Sequence, residues 1–148
     1  MNVNSKSSYT ENQLSRIILD AAFRVHTRTG PGLLETVYEA ILAYELRKQG
    51  LQIERQVPIR IRYEELVFDE GFRADLLVEQ KLIVELKSVE KMAPVASKQL
   101  LTQLRLSDRR LGLLINFGGS HLKDGIERIA NGLPEETHAK RTDPAKEE

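Results

Sequence analysis

The sequence contains no cysteine. That absence excludes disulfides and thiolate metal sites, and it fits a reducing compartment. Long apolar runs are missing too. None approaches the roughly 18 residues needed to span a bilayer, so no membrane partner is expected. The polar N-terminus, MNVNSKSSYTENQ, lacks the apolar segment of a secretory signal, which makes the cytoplasm the default location. Nor is there an excess of either charge: 22 Lys and Arg balance 22 Asp and Glu. A protein that coats nucleic acid is basic overall, so strong non-specific DNA binding is not expected. An enzyme that meets phosphates locally remains open, because a bound metal ion can supply the positive charge.

What is present suits one globular domain. The 148 residues are 41% hydrophobic and 30% charged, and a chain of this length buries enough surface to fold without staples. Residues 1–10 read as a flexible leader, 11–131 as the domain, and 132–148 as a disordered polar tail. Leu14, Ile17, Ile18, Ala21, Ala22 and Val25 carry helical spacing from Glu11 to about Thr27. Thr29-Gly-Pro-Gly32 breaks that helix, and a second is expected from about Leu34 to Gln49, stopped by Gly50. Ile53 to Tyr63 alternates as a strand, with Val57, Ile59, Ile61 and Tyr63 on one face and Arg60 and Arg62 on the other. Further strands are expected over about Leu66–Val78 and Leu82–Ser88, then a helix from Pro94 to about Ser107. Leu111–Phe117 reads as a buried strand and His121–Asn131 as a last helix. The order α, α, β, β, β, α, β, α predicts an α/β layered domain with a mixed sheet flanked by helices.

The chemistry concentrates in Phe72-Arg-Ala-Asp75 and Ile83-Val-Glu85-Leu-Lys87. Glu85 and Lys87 are two apart on a strand, so their side chains share a face. If the intervening turn centres on Gln80, Asp75 lies opposite Glu85, about 4.5–5.5 Å away at Cβ. Two carboxylates so placed can share one hard cation. Charges in so apolar a strand are costly unless paired, hydrated or metal-bound; a structural ion pair at a sheet edge would satisfy the same spacing. Glu35 and Tyr38 are three apart on the second helix and share a face. Gln99 and Gln103 form a polar line on the helix after the strands, with Lys91, Lys98, Arg105, Arg109 and Arg110 nearby.

Gly32-x-x-Glu35-x-x-Tyr38, Phe72-Arg-Ala-Asp75, Val84-Glu85-Leu-Lys87 and Gly112-Leu-Leu-Ile-Asn-Phe117-Gly together resemble the GxxExxY family of small bacterial and archaeal proteins. That family is similar to the PD-(D/E)XK nuclease superfamily. The resemblance covers roughly residues 12–131 and implies a restriction-endonuclease-like αβββαβ core. It implies that Asp75 and Glu85 bind Mg²⁺ or Mn²⁺ with the Leu86 carbonyl, and that Lys87 positions or activates the attacking water or neutralises the phosphate. It implies that Glu35 orients a water or a second metal and that Gln99 is the polar residue of the following helix. Tyr38 and Gln103 are supporting residues. His26 also matches a family position but reads as a structural helical histidine. The chain departs from the pattern at Ala96 and Gln103, where the family often carries histidine and tyrosine, and at Ala74, where the superfamily proline would stand. The implied function is a divalent-metal-dependent nuclease with nucleic acid, DNA before RNA, as partner, and a homodimer as one arrangement for addressing two strands. The competing readings are a non-catalytic binding module on the same fold and a dimerisation protein with a structural ion-pair network.

Overall fold

The computed structural model describes residues 8–134. The expected leader falls largely, and the expected tail almost wholly, outside them. The elements are α1 (Glu11–Thr29), α2 (Glu35–Lys48), β1 (Ile53–Tyr63), β2 (Leu66–Val78), β3 (Leu82–Lys87), α3 (Val95–Ser107), β4 (Leu111–Asn116), a 3-10 turn (Leu122–Gly125) and β5 (Ile126–Ala130). The strands form one sheet in the order β1-β2-β3-β4-β5. Only β3 and β4 run parallel, and α3 supplies the crossover that a parallel pair requires. This is the restriction-endonuclease-like mixed α/β architecture.

Local chemistry sets the ends of α1. Thr10 and Gln13 form a reciprocal capping box at its start. Gly30, at φ 74°, closes it and turns the chain toward α2.

Two apolar layers hold the sheet. On one face α1 and α2 bring Leu14, Ile18, Val25, Tyr38, Leu42 and Leu46 onto Leu82, Val84, Leu86, Leu113 and Ile115. On the other, Ala96, Leu100 and Leu104 of α3 cover Ile83, Leu77 and Leu114. β3 therefore alternates strictly: its even residues face α1 and α2, and its odd residues, Glu85 and Lys87 among them, lie on the α3 side.

The hairpin of β1 and β2 does not keep that alternation. Leu76 and Val78 join the first layer, whereas Ala74, two residues earlier, joins the second. Across from them Ile53 joins the first layer and Ile59 the second. Both strands change face around Gln56 and Asp75, and Gln56 has a left-handed φ of 51°. The single apolar face expected for β1 is therefore not continuous. A register shift follows between Ile59 and Ile61, and Tyr63 is 60% exposed at the hairpin tip.

The expected last helix is a 3-10 turn and a strand. Leu122, Ile126 and Ile129 have helical spacing, yet the segment is not a helix. In the structure Ile126 packs into the first layer and Ile129 into the second. A strand with helices on both sides of its sheet buries both residues; an odd separation puts them on opposite faces. β4 is buried throughout, so its outer edge needs a hydrogen-bonding neighbour. β5 pairs with it antiparallel from Leu111–Ala130 to Ile115–Ile126.

Candidate active site

The site lies where β3 ends and α2 begins. The β2–β3 ladder pairs Val78 with Leu82, Leu77 with Ile83 and Leu76 with Val84. That register is centred on Gln80, as expected, and it stops one pair short of Asp75 and Glu85. There the Asp75 side chain replaces the ladder: its Oδ2 accepts the Leu86 N–H at 2.8 Å. The N–H and carbonyl of a strand residue point to the same edge. The Leu86 carbonyl is therefore turned toward β2 and Asp75, while the Lys87 carbonyl faces β4 and accepts from Phe117 N–H at 2.9 Å.

The end of β3 is fastened to its neighbours. Asn116 holds Val89 by two bonds of 3.0 Å, accepting from its N–H and donating to its carbonyl. Gly118 is needed beside this clamp, because a Cβ there would lie 2.2 Å from the Val89 carbonyl oxygen. Ser88 Oγ donates to the Leu33 carbonyl at 2.7 Å, and the Ser88 N–H lies near enough to the Glu35 carboxyl to favour its charged form. These contacts seat the first turn of α2 against the end of β3.

Glu35, Asp75, Glu85 and Lys87 are thus brought together, and each carboxyl feels the others. Burial, then the negative charge of Asp75, pushes the Glu85 carboxyl up to about 7; Lys87 opposes this, and Glu35 and Glu39 add to it. Burial raises Glu35 as well, followed by repulsion from Asp75, with Lys87 and the Ser88 N–H pulling it back. Asp75 is raised by burial despite the hydrogen bonds from Leu86 and Gln56. The cluster is short of positive charge.

Other expected members are placed differently. Tyr38 is fully buried, stacked on Phe117 at 4.5 Å between centroids. Its hydroxyl donates to the Gly30 carbonyl and accepts the Leu33 N–H. Gln99 is exposed on α3, and among the described residues no hydrogen bond ties it to the carboxylates. The buried Oε1 of Gln103 has no partner among the described residues. His26 is buried, with Nε2 3.0 Å from the Gly119 carbonyl.

Two polar residues beside Asp75 escaped sequence reading. Glu39, one turn after Glu35 on α2, is 3% exposed and accepts from Arg55 Nε at 2.9 Å and from Gln56 Nε2 at 2.8 Å. Gln56 Nε2 also donates to Asp75 Oδ1 at 3.2 Å. The i, i+4 spacing of Glu35 and Glu39 was a readable signal; nothing local marked Gln56.

The donor set fits a hard divalent cation. Asp75, Glu85 and the Leu86 carbonyl offer oxygen only, as Mg²⁺ and Mn²⁺ prefer, and the carboxylates lack compensating charge. Among the described residues no three His, Cys, Asp or Glu side chains are arranged to hold an ion. Such a cation would therefore rest on two carboxylates, a carbonyl and water. No helix among the described residues is long and apolar enough to cross a membrane.

Comparison with known proteins gives one assignment. No curated protein and no solved structure matches the chain significantly. A family model described as the PD-(D/E)XK nuclease superfamily matches residues 12–129, most of the chain. With the αβββαβ core in place, Asp75 on β2 and Glu85 and Lys87 at the end of β3, the chain belongs to the PD-(D/E)XK nuclease superfamily.

Proposed function

We propose that this domain is a Mg²⁺- or Mn²⁺-dependent nuclease of the GxxExxY kind, hydrolysing phosphodiester bonds in nucleic acid, DNA before RNA. The observation that carries this reading is the convergence of Glu35, Asp75 and Glu85 around Lys87, with the carboxyls raised by burial and mutual repulsion. A structural ion-pair network would match its charges; this cluster has too few cations. Asp75, Glu85 and the Leu86 carbonyl would hold the cation, which when bound makes water a better nucleophile and neutralises the phosphate. Lys87 presents its ammonium to the phosphate or the attacking water from the same face of β3 as Glu85. Glu35, in the first turn of α2, orients a water at the edge of the site. Gln99 is the polar contact offered by α3, with Gln103 and Tyr38 in support.

The test is Mn²⁺ binding by calorimetry for the natural protein and for a folded Asp75→Ala/Glu85→Ala double variant, followed by cleavage assays on single- and double-stranded oligonucleotides. Binding by the natural protein alone, with cleavage of either substrate, supports the nuclease. Binding without cleavage leaves a metal-holding nucleic-acid module. Absence of binding by both, even with oligonucleotide present, sinks the catalytic reading.

The charge distribution fits a nucleic-acid partner on the α3 side. Residues 87–110 carry six Lys and Arg against two acidic residues, although the whole chain is neutral. Lys98 and Arg105, both exposed and two turns apart on α3, suit contacts along a phosphate backbone. Replacing both with alanine should weaken duplex binding alike for unrelated sequences. It should also lower the slope of log K against log salt by about 2, since each lost phosphate contact removes about 0.9. An unchanged slope would move the interface off α3.

A further inference from the structure

Among the described residues five non-glycine residues have positive φ: Gln56, Glu64, Glu79, Gln80 and Asp108. Glu64 lies in the β1–β2 turn, Glu79 and Gln80 in the β2–β3 turn, and Asp108 caps α3. Those are the places where such a backbone is ordinarily found. Gln56 is different: it lies inside a strand, at φ 51°. A long side chain there holds a conformation that glycine would adopt at less cost. Strain kept at a site is a pointer to function when the side chain has something specific to do.

The Gln56 side chain does have something specific to touch. Its amide bridges two carboxylates, Glu39 Oε1 at 2.8 Å and Asp75 Oδ1 at 3.2 Å. Ionised carboxylates only accept hydrogen bonds, so only the NH₂ end of the amide can stand between them. The bridge is anchored from both directions. Glu39 is almost wholly buried on α2, with its second oxygen fixed by Arg55. The Gln56 backbone carbonyl accepts from Arg73 at 3.1 Å. Asp75 then has one oxygen bonded to Gln56 and the other to the Leu86 N–H. A carboxylate with both oxygens so engaged has its plane and rotamer set before any ligand arrives.

We propose that Gln56, held by Glu39, is a positioning residue that orients the Asp75 carboxylate toward the Leu86 carbonyl and Glu85. Its consequence for metal affinity rests on the metal-site reading above. The left-handed backbone at Gln56 swings the amide out of the usual strand alternation and into the gap between α2 and β2. The same distortion accompanies the change of face in β1 and β2. Partners of this kind tune metal sites through the ligands they orient.

The decisive variant is Gln56→Gly, which removes the amide yet suits the backbone. A purely structural glutamine and a positioning one then predict different things. Positioning predicts a variant that still folds by circular dichroism, with Mn²⁺ affinity by calorimetry weakened about tenfold or more and faster amide hydrogen exchange at Leu86 in the metal-free protein. Unchanged Mn²⁺ affinity with unchanged Leu86 exchange overturns the proposal. If the natural protein takes up no Mn²⁺, the metal reading falls on its own. Leu86 exchange then decides whether Gln56 orients Asp75: faster exchange in Gln56→Gly upholds it, and identical exchange removes it.

Discussion

Replacing Glu85 with glutamine is expected to stabilise the metal-free protein at pH 8 while abolishing metal-dependent cleavage. The first effect follows from the Glu85 carboxyl, which burial and the neighbouring Asp75 raise from 4.5 to about 7. A group whose folded value is raised binds its proton more tightly in the folded state. Between about pH 4.5 and 7 the folded chain therefore carries a proton that the unfolded chain has lost. Stability must fall as pH rises through that window. Below it both states are protonated and there is no penalty; above it the penalty is complete, on the order of 3 kcal/mol. Glu35 and Asp75 are raised as well, so they act in the same direction. Glutamine keeps the shape and removes the charge. Urea unfolding in chelator at pH 5 and pH 8 should show the natural protein losing stability across the range and Glu85→Gln losing distinctly less. Mn²⁺ at pH 8 should restore the natural protein and leave the variant unmoved. Because a catalytic metal contributes several kcal/mol to the transition state, cleavage should drop by at least about a hundredfold. Equal pH slopes for the two proteins would mean that the carboxylates are not packed against one another as described.

The same electrostatics explain why this site was readable in one dimension and incomplete. Glu85 and Lys87 stood out because charges two apart in an otherwise apolar strand need a reason, and the turn centred on Gln80 placed Asp75 opposite. The register bears this out to Leu76–Val84. It could not show that the ladder ends there and that Asp75 takes over the Leu86 N–H, because that depends on a backbone distortion. Gln56 was missed for the same reason, and although the spacing of Glu39 from Glu35 was readable, its link to Asp75 through Gln56 was not. Their connection to Asp75 crosses from α2 to β1 to β2, and the left-handed φ that makes it possible has no sequence mark such as glycine. The elements were legible through periodicity, with boundaries within two residues for every helix and strand but the last. There, Leu122, Ile126 and Ile129 satisfied helical spacing, but the layers on both faces of the sheet reward a strand that points alternate residues each way. The spacing was real; the surroundings decided which geometry would use it.

Truncating Tyr38 to alanine should cost about 3–5 kcal/mol of stability, in the range for a buried aromatic. The ring has no exposed surface and lies nearly parallel to Phe117, 4.5 Å away at 6°. It also packs in the layer that joins α1, α2 and the sheet. Phe117 bonds through its N–H to the Lys87 carbonyl, so the stack stands behind the strand end that carries the site. The hydroxyl has a separate role. It joins the Gly30 carbonyl and the Leu33 N–H, holding closed the Gly-Pro-Gly turn that delivers Glu35. Tyr38→Phe keeps the stack and strips the hydroxyl, which should cost about 1–2 kcal/mol by leaving those two backbone groups without that partner. Urea unfolding of the two variants separates the contributions. Mn²⁺ titration of Tyr38→Phe, which stays folded, then tests whether the turn matters to the site. Weaker binding with Leu86 amide exchange unchanged would place the effect at Glu35 rather than at Asp75. Natural affinity would confine Tyr38 to the core, and loss of less than about 1 kcal/mol in Tyr38→Ala would contradict the stacked, fully buried ring itself.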